Sequence, residues 1–127
     1  MSWDFTPDKP IYLQLQEQVK LRIVSGKYLP GEKLASVRDL SIEAAVNPNT
    51  MQRALAELER DGLVYTERTS GRFVTNDTEV INKMKNDIAI ELVSAFLSKM
   101  NEIGYSKNEA ADIIRNSKEV ENRDGNS

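Results

Sequence analysis

Between Ser36 and Arg72 the chain gathers short polar, amide and cationic side chains in three groups. They are Ser36 with Arg38; Asn47, Asn49, Thr50, Gln52 and Arg53; and Arg68, Ser70, Gly71 and Arg72. The chain has no His and no Cys, so none of these groups has an imidazole base, a thiolate or a zinc-ligand set beside it. Ser–His and Cys–His catalysis are excluded, and no phosphate-cradling loop or metal cluster is present. What amides, hydroxyls and guanidinium groups do together is hydrogen-bond, to base edges in a groove and to phosphate oxygens along a backbone. The chemistry is recognition: the chain reads as a non-enzyme that needs no cofactor and no metal.

The surrounding residues fold so as to hold these groups out. A short helical pattern opens at Ser36, with Asp39 where a capping-box carboxylate would reach back and Val37 and Leu40 facing inward. A tight turn ends at Asn47, and a second helix starts at Pro48 and stops at Gly62. Asn47 is a good N-cap, Pro48 sits at the first helical position, and Gly62 takes the left-handed conformation that ends a helix. Met51, Leu55 and Leu58 form the buried stripe, leaving Asn49, Thr50, Gln52, Arg53 and Ala56 outside it. Arg38 stands in a first turn, where the helix dipole disfavours a cation, so an external phosphate is its natural partner. Two β-type runs follow, Leu63 to Glu67 and Arg72 to Thr75, around a Thr69-Ser70-Gly71 tip flanked by Arg68 and Arg72. Helix, turn, helix and hairpin make a mainly α winged helix-turn-helix, whose second helix fits the major groove of B-DNA. A wing with two arginines suits the backbone or the minor groove.

Flanking segments complete the frame. Ile11 to Ser25 reads as a helix with Tyr12, Leu15, Val19 and Ile23 on one stripe, closing the core behind the helix pair. Tyr28-Leu29-Pro30-Gly31 is turn chemistry, and Lys33-Leu34 is a strand edge for the wing to pair with. Trp3 and Phe5 pack on this domain or on a partner subunit, and the sequence does not decide which. Residues 1–76 make the docking domain; residues 77–127 make a second, helical segment. There Glu79 to about Ile103 is one long helical pattern, Gly104 breaks it, and Ser106 with Glu109 caps another helix through Ile113, Ile114 and Arg115. The end, Asn116 to Ser127, is charged and polar and reads as a fraying tail. Two helices cannot enclose a core of their own. The apolar face formed by Ile81, Met84, Ile88, Leu92, Ala95, Phe96 and Met100, with Ile113 and Ile114, is therefore read as the dimerisation surface of a homodimer.

Charge sharpens this division. Residues 1–76 hold 10 Lys and Arg against 10 Asp and Glu, whereas residues 77–127 hold 7 against 10. The docking half is neutral, so attraction to DNA must come from a few placed cations. No long apolar run and no signal-like N-terminus appears, so a cytoplasmic, membrane-free protein is expected. A winged helix serving only as a protein-interaction module is the alternative; Arg38, Arg53 and Arg72 count against it.

Residues Pro10 to Val74 resemble the DNA-binding domain of the GntR family of bacterial transcription regulators. The carriers are Pro10-Ile11-Tyr12 with Gln14-Leu15, Gly26 to Leu34, Ser36-Val37-Arg38-Asp39-Leu40, Val46 to Thr50 with Arg53-Ala54-Leu55, Leu58 to Leu63, and Gly71-Arg72-Phe73-Val74. The resemblance implies that Arg38, Asn47, Asn49, Thr50, Gln52 and the wing Gly71 touch DNA. Pro48, Gln52 and Thr69 depart from the residues many members carry, so it implies a docking mode and no operator sequence. The Asn-Pro-Asn-Thr start and the short tail are similar to the small YtrA-like branch, which implies a tail serving dimerisation and often control of transport operons. The sequence names no small-molecule effector; a groove for one would be lined by Met84, Phe96, Met100 and Tyr105.

Overall fold

The computed structural model describes residues 2–117 and holds five helices and one hairpin among them. The order is α1 (Ile11–Val24), α2 (Val37–Ala44), α3 (Pro48–Arg60), β1 (Val64–Glu67), β2 (Gly71–Val74), α4 (Thr78–Glu102) and α5 (Lys107–Arg115). The polar tail expected from Asn116 onward lies, from residue 118, outside the described residues. The chain forms two compact units, one running through Lys85 and the other starting at Asn86. The first thus extends past the polar linker at which the sequence reading divides the chain.

In the first unit, α1, α2 and α3 bury one stripe each. Leu15, Val19 and Ile23 meet Leu40 and Ala44 and, from α3, Met51, Ala54, Leu55 and Leu58. The amphipathic spacing of α3 puts its four buried residues on one side, so its other side stays free for contact. Strands β1 and β2 pair antiparallel in the register Val64↔Val74, Tyr65↔Phe73, Thr66↔Arg72 and Glu67↔Gly71. Val64 and Val74 close the core from the hairpin side, while Tyr65 and Phe73 stack on the opposite face with centroids 5.6 Å apart. The Lys33-Leu34 edge pairs with β2 as its sequence implies: Lys33 bridges Phe73, and Leu34 N–H donates to the Arg72 carbonyl at 2.9 Å.

Two features go beyond the sequence reading. The N-terminal strap lies on its own domain, with Trp3 and Phe5 against the core. The Trp3 ring covers the Arg22 guanidinium at 3.6 Å, and its indole N–H donates to Glu43 at 3.0 Å. Gln14 fastens the strap by accepting from Thr6 N–H and donating to the Thr6 and Lys9 carbonyls, each at 2.8 Å. Second, Ile81, which the sequence pattern places on the dimerisation face, is only 7% exposed and belongs to the core of the first unit. Val80 and Met84 pack partly against the same core. The physical reason is periodicity: these residues sit in the first two turns of a helix that starts only three residues after β2 ends, so the winged core is the nearest apolar surface they can reach.

In the second unit the rest of α4 is followed by a left-handed Gly104 (φ +94°) and then by α5. Ser106 caps α5 with both halves of a capping box formed, Glu109 N–H to Ser106 Oγ at 3.2 Å and Ser106 N–H to Glu109 Oε1 at 3.0 Å. Those bonds, backbone first, hold the Glu109 carboxyl below its ordinary range. Ala110 is fully buried, but Leu92, Phe96, Ile113 and Ile114 are exposed, as are Ile90, Val93 and Ile103.

Candidate nucleic-acid interface

The first helix of the pair begins with a side-chain cap. Ser36 is extended (φ −61°, ψ 159°) and its hydroxyl accepts from Asp39 N–H at 3.1 Å, which leaves Arg38 exposed in the first turn. The turn to the next helix depends on Ala45, a non-glycine residue at φ 58°. In that conformation Val46 N–H returns to the Ser41 carbonyl at 2.9 Å, ending α2 and redirecting the chain into Asn47.

Asn47 caps α3 by accepting from Asn49 N–H at 2.8 Å, and Pro48 occupies the first turn where a missing N–H is harmless. Asn49, Gln52 and Arg53 are exposed, Thr50 is half-buried, and exposed Ala56 leaves the same side of the helix uncrowded. Arg53 is not a free-swinging cation. Its guanidinium lies 3.5 Å over the ring of Tyr12, at the start of α1, so the aromatic face favours one presentation of the charge.

At the wing, Arg68, Thr69, Ser70 and Gly71 are exposed, and Ser70 N–H closes the turn onto the Glu67 carbonyl at 3.2 Å. Gly71 is at φ +114°, and a Cβ there would come within 3.1 Å of Lys33 Cε, so the glycine admits the Lys33 side chain against the wing. Ser36 and Val37 at the head of α2, the Lys33–Ala35 segment, and Thr66, Ser70, Gly71 and Arg72 of the wing line one open cleft of about 380 Å³.

Arg72 behaves differently from its neighbour Arg68. Its side chain is 16% exposed, and its Nε lies 3.5 Å from Glu59 Oε1, the oxygen that also accepts from Thr66 Oγ1 at 2.5 Å. The sequence reading set Arg72 beside Arg68 as a second outward flank. The strand register instead pairs it with Thr66 on the Val64–Val74 face, turned toward α3.

The structure therefore brings Ser36, Ser70, Gly71 and Arg72 to one cleft and leaves Arg38, Asn49, Gln52, Arg53 and Arg68 at the surface. Sequence reasoning passed over Tyr12, Lys33, Glu59 and Thr66 as parts of this site. Tyr12 was counted only as a stripe residue. The cross-strand pairing of Thr66 with Arg72 was recoverable from the hairpin register, but the reach of Glu59 across to it was not.

Two helices joined by a tight turn, the second offering amides and an arginine, with a paired hairpin at their side, define a winged helix-turn-helix DNA-binding protein. The family described as bacterial regulatory proteins, gntR family, matches residues 11–74. Among curated relatives, the HTH-type transcriptional regulator YhcF of Bacillus subtilis is 40% identical over 91% of this chain and 95% of its own length. The HTH-type transcriptional repressor YtrA of Bacillus subtilis is 40% identical over 55% of this chain and 54% of its own. A solved GntR family transcriptional regulator from Listeria monocytogenes superposes with a TM-score of 0.83 at 39% identity, covering 90% of this chain and all of that one. The chain belongs to the GntR family and is a DNA-binding transcription regulator, not an enzyme. Among the described residues no helix is long and apolar enough to cross a membrane.

Proposed function

We propose that the protein is a repressor that binds a palindromic operator as a homodimer in the cytoplasm, each subunit placing the first turns of α3 in a major groove. The carrying observation is the exposed Asn49, Gln52 and Arg53 on a helix whose other face is locked into the core, beside a cleft lined by cations. In this reading Asn49 and Gln52 meet base edges, Asn47 and Thr50 steady the helix start at the groove, and Arg53 meets a base or a phosphate. Ser36, Arg38, Arg68, Ser70 and Gly71 meet backbone phosphates.

Dimerisation is assigned to the second unit. Leu92 is 67% exposed, and Phe96, Ile113 and Ile114 between 40% and 49%, which is more apolar surface than two helices leave in water without a partner. Ile88 and Met100, half-buried, flank that surface; Ile81 drops out and Met84 is shared with the core. The repressor sign follows the printed name of the YtrA relative, and control of a transport operon follows the family branch; no effector is assigned. A mobility-shift titration of the chain against DNA upstream of its own gene, at stated salt, tests the reading. A discrete complex resisting nonspecific competitor is the expected result, and retardation abolished equally by any duplex would refute it.

A further inference from the structure

Resting on the DNA-binding reading, we infer that Glu59 is a positioning residue that locks the wing to the recognition helix, and that what it positions is a two-cation seat, Arg72 with Lys33, for one backbone phosphate. Glu59 stands in the C-terminal half of α3, away from the exposed first turns that would enter a groove. One of its oxygens holds both strands of the wing, taking the Thr66 hydroxyl from β1 and facing Arg72 Nε from β2.

Thr66 and Arg72 are direct cross-strand partners on the inward face, just beyond the Val64–Val74 pair. A cation placed there is mostly desolvated, and its Nε is buried without a hydrogen bond, so it stays only if a counter-charge faces it. Glu59 supplies that charge to the Nε side of a guanidinium that has five N–H donors, leaving the others for a second acceptor. Arg72 also lines the cleft shared with Lys33, Ser36 and Gly71. Lys33 lies against Gly71, where a Cβ would crowd its Cε at 3.1 Å, so two cationic side chains flank one open cleft between wing and α2. Two cations on a cleft open to solvent suit a compact anion, and in a chain that docks on DNA that anion is a backbone phosphate.

The sign of a substitution at Glu59 separates positioning from simple charge. Removing a carboxylate near DNA should tighten binding if only net charge counts. If Glu59 positions Arg72, then Glu59→Ala weakens it, by about tenfold at moderate salt. It also makes the dependence of log affinity on log salt shallower by about two, one phosphate contact per subunit at about −0.9 each. Lys33→Ala lowers the slope by the same amount with an unchanged sequence preference, and Glu59→Gln, which keeps an acceptor for Thr66 but removes the counter-charge to Arg72, falls between wild type and Glu59→Ala. Should Glu59→Ala lose its circular-dichroism helix signal, Arg72→Lys decides. It keeps the charge but loses the Nε contact, so the lock predicts weakening and a charge-only account predicts none. Glu59→Ala folded and binding as tightly as wild type, or Arg72→Lys binding like wild type, overturns the lock while leaving the regulator reading intact. Wild type binding no duplex at all overturns both.

Discussion

In the proposed docking mode individual side chains carry the recognition, and the most informative of them is Arg53. Its stacking on Tyr12 means that, in that mode, its reach into DNA would depend on α1 as well as α3. Arg53→Ala should weaken operator binding by about 1–3 kcal/mol without unfolding the protein, the range for one good side-chain contact. Tyr12→Leu leaves Arg53 in place chemically but removes its aromatic platform, and should weaken binding by about 0.5–1 kcal/mol, the size of an exposed cation–π contact. Fluorescence-anisotropy titrations of both variants at one salt concentration check this pair, and a neutral Tyr12→Leu would show that the stack does not steer Arg53. Exposure of Asn49, Gln52 and Arg53 was legible in the sequence, because the apolar stripe of α3 leaves nowhere else for them to point. The orientation of Arg72 was legible in principle too. Strand side chains alternate, so a residue two before core Val74 points toward the core, which sets Arg72 apart from the outward Arg68.

Among the elements, the α2–α3 turn shows where local chemistry hides from a sequence. Caps at Ser36, Asn47 and Ser106 announce themselves because hydroxyl and amide side chains accept from helix N–H groups. Ala45 announces nothing, since alanine is not one of the residues that favour a left-handed conformation, yet it holds φ 58°. The strain is about 1–2 kcal/mol, and glycine removes it at an entropic cost of about 0.5–1 kcal/mol. Ala45→Gly should therefore raise stability by about 0.5–1 kcal/mol, read as a higher denaturation midpoint with unchanged operator affinity. A lowered midpoint would mean that the turn does not adopt that conformation in solution. Helix α4 hides a different fact. Its apolar repeat runs unbroken from Ile81 to Met100, and no property of the residues themselves says that Ile81 meets the winged core while Leu92 stays 67% exposed. Partner identity is a tertiary fact, and periodicity reports only that a partner is needed.

For the whole molecule, the division into units makes a truncation prediction sharper than the sequence alone allows. Ending the chain after Lys85 keeps Ile81 in the core, whereas ending it after Asn76 removes it along with Val80 and Met84. The longer fragment should melt as a folded domain, and the shorter one should be less stable by about 2 kcal/mol or more, the burial of one such side chain. Both should sediment as monomers and lose most operator affinity, since linking two half-site contacts supplies the effective concentration that one domain lacks. A fragment ending at Lys85 that sediments as a dimer would move the interface into the first unit.

In the proposed function two α3 helices, held as a pair, read a two-fold symmetric sequence. The most direct test is repeated selection of full-length protein on a pool of random duplexes, followed by sequencing of the bound fraction. The expected result is enrichment of an imperfect palindrome whose half-site centres lie about one helical turn, or a multiple of it, apart. Enrichment of a lone asymmetric half-site would contradict the pairing, and a pool that stays random would contradict sequence-specific recognition itself.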